Sequence, residues 1–156
     1  MSCFFIFLAP NGDFIKFCQS KSLVNFGCLI LCSTGLNGLF YYNNYGCWCG
    51  FGGCSTPVDK IDQCCKDHDK CYDEIVSLHK CDIISQYTTN YKWTCERNKN
   101  LTHGIPKCLD NTGNTCGAAL CECDTKAAIC FANYPYPAKK PKCPVWCPLI
   151  STNKIY

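Results

Sequence analysis

A mainly α, disulfide-rich fold is predicted for this chain by three observations. The first is cysteine content, 19 of 156 residues, far above ordinary globular usage. The second is a matched spacing. Cys64 and Cys71 are seven residues apart, and so are Cys123 and Cys130, in two stretches that read as long helices. Seven residues are about two helical turns, so each pair lies roughly on one face. Two antiparallel helices can then be bolted at two levels, Cys64 to Cys130 and Cys71 to Cys123. The third is a glycine-rich loop, Gly46 to Gly53, which runs into the first of those helices. The expected architecture is two long antiparallel helices cross-linked by disulfides, a short N-terminal helix, the loop, and a small two-stranded β-hairpin.

The chain is long enough for one domain with a modest core. Its cysteine density argues for an oxidising compartment and hence a secreted, extracellular protein. Zinc is the main competitor for the thiols. Neither the CxC at Cys47 and Cys49 nor the one at Cys121 and Cys123 repeats at zinc-ribbon spacing. An odd count leaves at least one cysteine free or paired with another chain. The net charge of +3 is mild. Lys139, Lys140 and Lys142 form the clearest basic cluster, either a solvated surface or a patch that helps the protein reach an anionic membrane. No basic helix, finger spacing or other nucleic-acid recognition motif is present.

Residues 1–21 read as a leader or extension. Phe4 to Ala9 is apolar but only six residues long, where a membrane span needs about 20. A basic n-region is also missing, so the stretch is a poor signal peptide. A single domain is expected over 22–147, with a C-terminal tail at 148–156. Leu23, Phe26 and Ile30 recur at helical spacing, and Val24, Cys28 and Leu31 add apolar mass. A helix is expected over Leu23–Cys32, capped by Ser22. Its apolar surface suits either a buried helix or the wall of a site for something greasy. Gly35 to Asn44 reads as a turn-rich connection.

Thr56 is a good N-cap and Pro57 a good first helical residue, with Asp59 placed to favour the positive helix end. The next helix is therefore expected from Pro57 to Leu78. Tyr91, Trp93 and Cys95 show the period of two that suits a strand, so a short antiparallel hairpin is expected between Tyr91 and Cys108. Asn100, Leu101 and Thr102 form an N-glycosylation sequon on an exposed turn. The alanine-rich stretch Thr115 to Asn133 reads as the second long helix, with Leu120, Ile129 and Phe131 supplying core. Pro135, Pro137, Pro141, Pro144 and Pro148 keep the tail extended, pinned by Cys143 and Cys147.

The helix bolts carry a chemical consequence. Tying Cys71 to Cys123 brings Asp124 near His68 and Tyr72, which are one turn apart. Asp124 can then accept a bond from one imidazole nitrogen and leave the other facing a water, the orienting part of a nucleophilic triad. No serine is placed to act as nucleophile and no GxSxG occurs, so water takes that role. Asp69 is either a plain surface acid or a metal ligand. Loop carbonyls, one carboxylate and water would make an all-oxygen shell, which suits calcium better than zinc or copper. A bound calcium would polarise an ester carbonyl. The residues alone therefore point to a calcium-assisted hydrolase.

YGCWCGFGG from Tyr45, followed by CCKDHDKCY from Cys64, closely resembles the secreted phospholipase A2 family of the pancreatic and elapid-venom kind. The resemblance continues through Tyr91 to Cys95, CECD at Cys121 to Asp124 and AAICF at Ala127 to Phe131. It covers about Leu23 to Cys143. It implies calcium-dependent hydrolysis of the sn-2 ester of glycerophospholipids, releasing a fatty acid and a lysophospholipid, at a membrane surface or lipid aggregate on which the protein is peripheral. The implied calcium ligands are the carbonyls of Trp48, Gly50 and Gly52 and the carboxylate of Asp69. Trp48 stands where the family usually has tyrosine, a change expected to remove a hydroxyl hydrogen bond to a neighbouring loop. The implied catalytic pair is His68 and Asp124, supported by Tyr72 and Tyr91. Leu23, Phe26 and Ile30, with Ala127, Ala128 and Phe131, would line a channel for the fatty chain. The implied disulfides are Cys32–Cys95, Cys47–Cys143, Cys49–Cys65, Cys64–Cys130, Cys71–Cys123, Cys81–Cys116 and Cys108–Cys121. Cys3, Cys18, Cys28, Cys54 and Cys147 depart from that frame. Cys28 and Cys54 are candidates for an extra bond, and Cys147 could compete with Cys143 for Cys47. The alternative function is a catalytically weak binding or toxin-type protein on the same scaffold.

Overall fold

A computed structural model describes residues 22–97, 102–109 and 115–147. The 1–21 extension, the tail from 148, Asn100 and Leu101 of the sequon, Cys3 and Cys18 lie outside the described residues.

Helix α1 spans Ser22–Thr34. It ends where Gly35, at φ 72°, turns left-handed and its N–H closes on the Leu31 carbonyl at 3.0 Å, a usual helix stop. Leu29, Ile30 and Cys32 are buried along it. Helix α2, Gly38–Tyr41, is one turn inside the stretch expected to be only a connection. The Asn37 side chain creates it by accepting the N–H groups of Leu39 and Phe40.

Helix α3 spans Lys60–Ser77. The expected start at Pro57 behind a Thr56 cap is not the one formed. Asp59 is the cap, its Oδ1 accepting the Asp62 N–H at 2.9 Å, while the Val58 N–H is taken by the Asp62 carboxylate at 2.9 Å. Residues 57–59 thus serve the preceding loop, and the helix begins only after them. A short helix α4, Ser85–Thr88, follows. Strands β1, Trp93–Glu96, and β2, Ile105–Cys108, pair antiparallel with Trp93 opposite Cys108 and Glu96 opposite Ile105. Helix α5, Cys116–Ala132, opens on a Thr115 cap that accepts the Ala118 N–H.

Both α1 and α3 pack on α5. The disulfides Cys64–Cys130 and Cys71–Cys123 each join the N-terminal half of one long helix to the C-terminal half of the other, so α3 and α5 run antiparallel. Leu29, Tyr45, Trp93, Leu120 and Phe131 fill the core without exposure. Cys32–Cys95 ties α1 to β1, and Cys81–Cys116 and Cys108–Cys121 tie α5 to the segments before it.

Eight disulfides join described cysteines, one more than the implied frame. The addition is Cys54–Cys147. This corrects two expectations: Cys54 does not pair with Cys28, and Cys147 does not displace Cys143 from Cys47. Cys28 is disulfide-bonded elsewhere. The reason is local. The Cys54 N–H bonds the Cys47 carbonyl, so Cys54 sits beside Cys47. The tail that reaches Cys47 through Cys143 needs only four more residues to present Cys147.

Candidate active site

His68 and Tyr72 lie on α3, Asp124 lies on α5, and Tyr91 precedes β1. Asp124 is fully buried and gathers the other three. His68 Nε2 lies 2.7 Å from its Oδ1. The Tyr72 hydroxyl donates to the same oxygen at 2.8 Å, and the Tyr91 hydroxyl donates to Oδ2. Burial, then the adjacent Asp124 charge, pushes the Tyr91 hydroxyl far above the usual tyrosine value, so it remains a donor. An acceptor carboxylate facing Nε2 requires Nε2–H, which leaves the lone pair on Nδ1. The imidazole is thereby held in one tautomer with its base nitrogen turned from Asp124.

Phe26 of α1 stacks on the His68 ring, centroids 4.3 Å apart and planes within 9°. Ile30, Ala127, Ala128 and Phe131 lie in the buried core, with Phe131 stacked on Tyr42. The Leu23 side chain lies outside the described residues. From His68 a row of rings leads outward through Tyr72 and Tyr87 to Phe51. Asn25, which sequence reasoning did not single out, is buried and donates to the Tyr91 carbonyl at 3.2 Å. It ties α1 to the segment that supports Asp124.

The loop is organised by a residue that sequence reasoning passed over. Asp62 is buried without exposure, yet its carboxylate accepts the N–H groups of Trp48 on Oδ1 and of Cys47 and Val58 on Oδ2, each within 2.9 Å. Hydrogen bonds to a carboxylate are the strong kind, and three of them offset its burial. Gly46, at φ 60°, makes room: a Cβ there would stand 2.3 Å from the Asp62 carboxyl carbon. The Cys49 N–H bonds the Tyr45 carbonyl. With the N–H groups of 47, 48 and 49 all turned inward, peptide planarity turns the carbonyls of 46, 47 and 48 the other way. Tyr45 donates to the Asp59 cap at 2.5 Å, so the loop and the start of α3 form one hydrogen-bonded unit. The signal for Asp62 was available in principle, as an acid on the buried face of an amphipathic helix.

Asp69 is half-buried on α3, one helical turn beyond Cys65. Residues four apart share a helix face, and Cys65 is bonded to Cys49, between Trp48 and Gly50. The disulfide therefore staples the loop one turn from the Asp69 carboxylate. Gly50 and Gly52 have φ of 142° and 77°. Among the described residues no three His, Cys, Asp or Glu side chains converge as a metal site. A cation here would draw on backbone oxygens and one carboxylate, the donor set that fits calcium. The hydrogen bond expected to be lost through Trp48 is replaced. Its Nε1–H donates to the Ser55 carbonyl at 3.1 Å, and Lys66 Nζ lies over its ring at 4.8 Å.

The family model described as phospholipase A2 matches residues 23–141. The chain is 40% identical over 121 residues to a phospholipase A2 of Bos taurus, covering 76% of this chain and 79% of that one. It is 39% identical over 119 residues to a basic phospholipase A2 of Micrurus mipartitus, covering 76% and 92%. It is 43% identical over 115 residues to a basic phospholipase A2 of Micrurus corallinus, covering 74% and 73%. With that extent of match, this chain belongs to the phospholipase A2 family of enzymes.

Proposed function

We propose that this enzyme is secreted and hydrolyses the sn-2 ester of glycerophospholipids in a calcium-dependent reaction at a lipid surface. The observation that carries the reading is the His68–Asp124 contact, with Nε2 committed to the carboxylate and Nδ1 left as the base. Nδ1 removes a proton from a water whose oxygen attacks the ester carbonyl carbon. Asp124 stabilises the imidazolium that results, and the hydroxyls of Tyr72 and Tyr91 hold the Asp124 carboxylate in place. When the tetrahedral centre collapses, the glycerol oxygen leaves and takes the proton back from Nδ1. The products are a fatty acid and a lysophospholipid. Phe26 packs the ring against rotation and offers an apolar wall beside the reacting carbons.

The carbonyls of Trp48, Gly50 and Gly52 with the Asp69 carboxylate would hold the calcium. When bound, it would supply the positive charge that polarises the ester carbonyl and favours the developing oxyanion. The disulfide frame supports an extracellular setting. No described helix is long and apolar enough to cross a membrane, in keeping with peripheral action. The competing reading is a catalytically weak binding protein. It would leave unexplained why a buried carboxylate should hold a histidine and two tyrosines in this arrangement.

The test is fatty-acid release from vesicles labelled at either the sn-1 or the sn-2 chain, with calcium and with chelator. Calcium-dependent release of the sn-2 label alone supports the assignment. Release of the sn-1 label, or release indifferent to chelator, overturns it.

A further inference from the structure

Residues 139–147 form a strap held at many points. Just before it, the Tyr136 hydroxyl donates to the Tyr41 carbonyl at 2.7 Å. Lys140 Nζ donates to the carbonyls of Phe40 and Asn43 at 2.8 and 3.0 Å. The Gly46 N–H bonds the Pro141 carbonyl at 3.1 Å. Cys143 is bonded to Cys47, and Cys147 to Cys54. The strap is thus tied to both ends of the glycine loop.

Between the two disulfides the chain reads Pro144, Val145, Trp146 and buries little. Trp146 is 86% exposed, the most of any large hydrophobic side chain described, and Val145 is 48% exposed. Indoles are usually found well buried. This one is presented to water by a backbone cross-linked on both sides, so docking it loses little further chain entropy. An amphipathic ring of this kind suits the headgroup level of a bilayer. Lys139 and Lys142 are exposed on the same strap, whereas Lys140 is engaged internally. The strap starts against α2, where Leu39 and Phe40 are 70% and 76% exposed, and ends against the loop that carries Phe51, 75% exposed. From Phe51 the row of rings leads to His68.

We propose that the 139–147 strap docks the protein on an anionic phospholipid bilayer, with Trp146 as the apolar anchor and Lys139 and Lys142 as the charge contacts. The proposal rests on reading the His68 site as a phospholipid hydrolase, because that reading makes a bilayer the surface to be met.

Docking is measured apart from turnover, with vesicles of ether-linked phosphatidylglycerol or phosphatidylcholine in chelator. Phosphatidylglycerol vesicles should shift the tryptophan emission of the parent to the blue. Trp146→Phe should lose most of that shift, since Trp93 is already buried and the half-buried Trp48 is held by its bond to the Ser55 carbonyl. Trp146→Ser should bind these vesicles about tenfold more weakly. Lys139→Ala with Lys142→Ala should cost about fivefold per lysine and flatten the salt dependence. Hydrolysis of a dispersed short-chain phospholipid should be unchanged in every variant. The proposal is overturned if Trp146→Ser binds vesicles like the parent, or if phosphatidylcholine binds equally well. A blue shift that grows with protein concentration in the absence of vesicles would also overturn it, as self-association. Should Trp146-dependent docking appear in a protein that hydrolyses no phospholipid, the strap assignment stands and the hydrolase reading falls.

Discussion

Replacing Asp62 by Asn should loosen the loop without touching any group assigned to proton transfer. The native carboxylate accepts the Trp48 N–H on one oxygen and the Cys47 and Val58 N–H groups on the other. An amide keeps a single acceptor. In the better of its two orientations the oxygen faces Cys47 and Val58, and the NH₂ confronts the Trp48 N–H, donor against donor. One buried donor left unsatisfied costs about 1–3 kcal/mol, and loss of the charge weakens the two bonds that remain. A total of about 2–4 kcal/mol corresponds to a fall in Tm of roughly 6–12 °C at this chain length. The disulfides at Cys47, Cys49 and Cys54 keep the loop attached, so the variant should fold. The freed N–H is that of Trp48, whose own carbonyl is an assigned ligand, and calcium affinity should fall with stability. Thermal denaturation and calorimetric calcium titration on one preparation provide the readouts. An Asp62→Asn protein with parental Tm and calcium affinity would refute the view that this carboxylate organises the loop.

Asp69→Asn should reduce calcium affinity by more than tenfold in a calorimetric titration, since it removes the one strong ionic ligand. Unchanged affinity would place the cation elsewhere. His68→Gln should lower turnover by at least about a hundredfold while calcium binding stays near parental, because the imidazole is assigned to the proton and not to the metal. Tyr91→Phe should change the alkaline limb of the stability curve. Below pH about 10 both folded and unfolded Tyr91 are protonated; above it the unfolded chain ionises while the buried hydroxyl, held up by burial and by Asp124, does not. Native stability should therefore fall by about 1.4 kcal/mol per pH unit from this one group. Urea denaturation at pH 8 and 11 should show the slope shallower by about one proton in the variant.

The chain by itself determined the helical, cross-linked class. The periods that specify it are local: seven residues between cysteines on each long helix, three and four between apolar positions on α1, two along β1. Local periods are set by backbone geometry, which every sequence shares. The nearness of His68, Tyr72 and Asp124 also followed, because a disulfide at Cys71 limits where its helical neighbours can lie. Tertiary structure decided what depended on competition between equivalent local choices. Thr56 and Asp59 are both good caps. Asp59 caps α3 because Asp62 claims the Val58 N–H and Tyr45 reaches Asp59, and neither partner is visible from propensity. Cys54 had several thiols it could meet, and the Cys54 to Cys47 backbone bond sets it beside the strap that carries Cys147. Trp48 keeps the loop latched because its indole N–H reaches the Ser55 carbonyl. In sequence Asp62 shows only as an acid on the apolar face of its helix, with no sign of its partners. Its burial is tolerable only because three N–H groups from residues up to fifteen positions away converge on it, and a convergence over such distances exists only once the chain has folded.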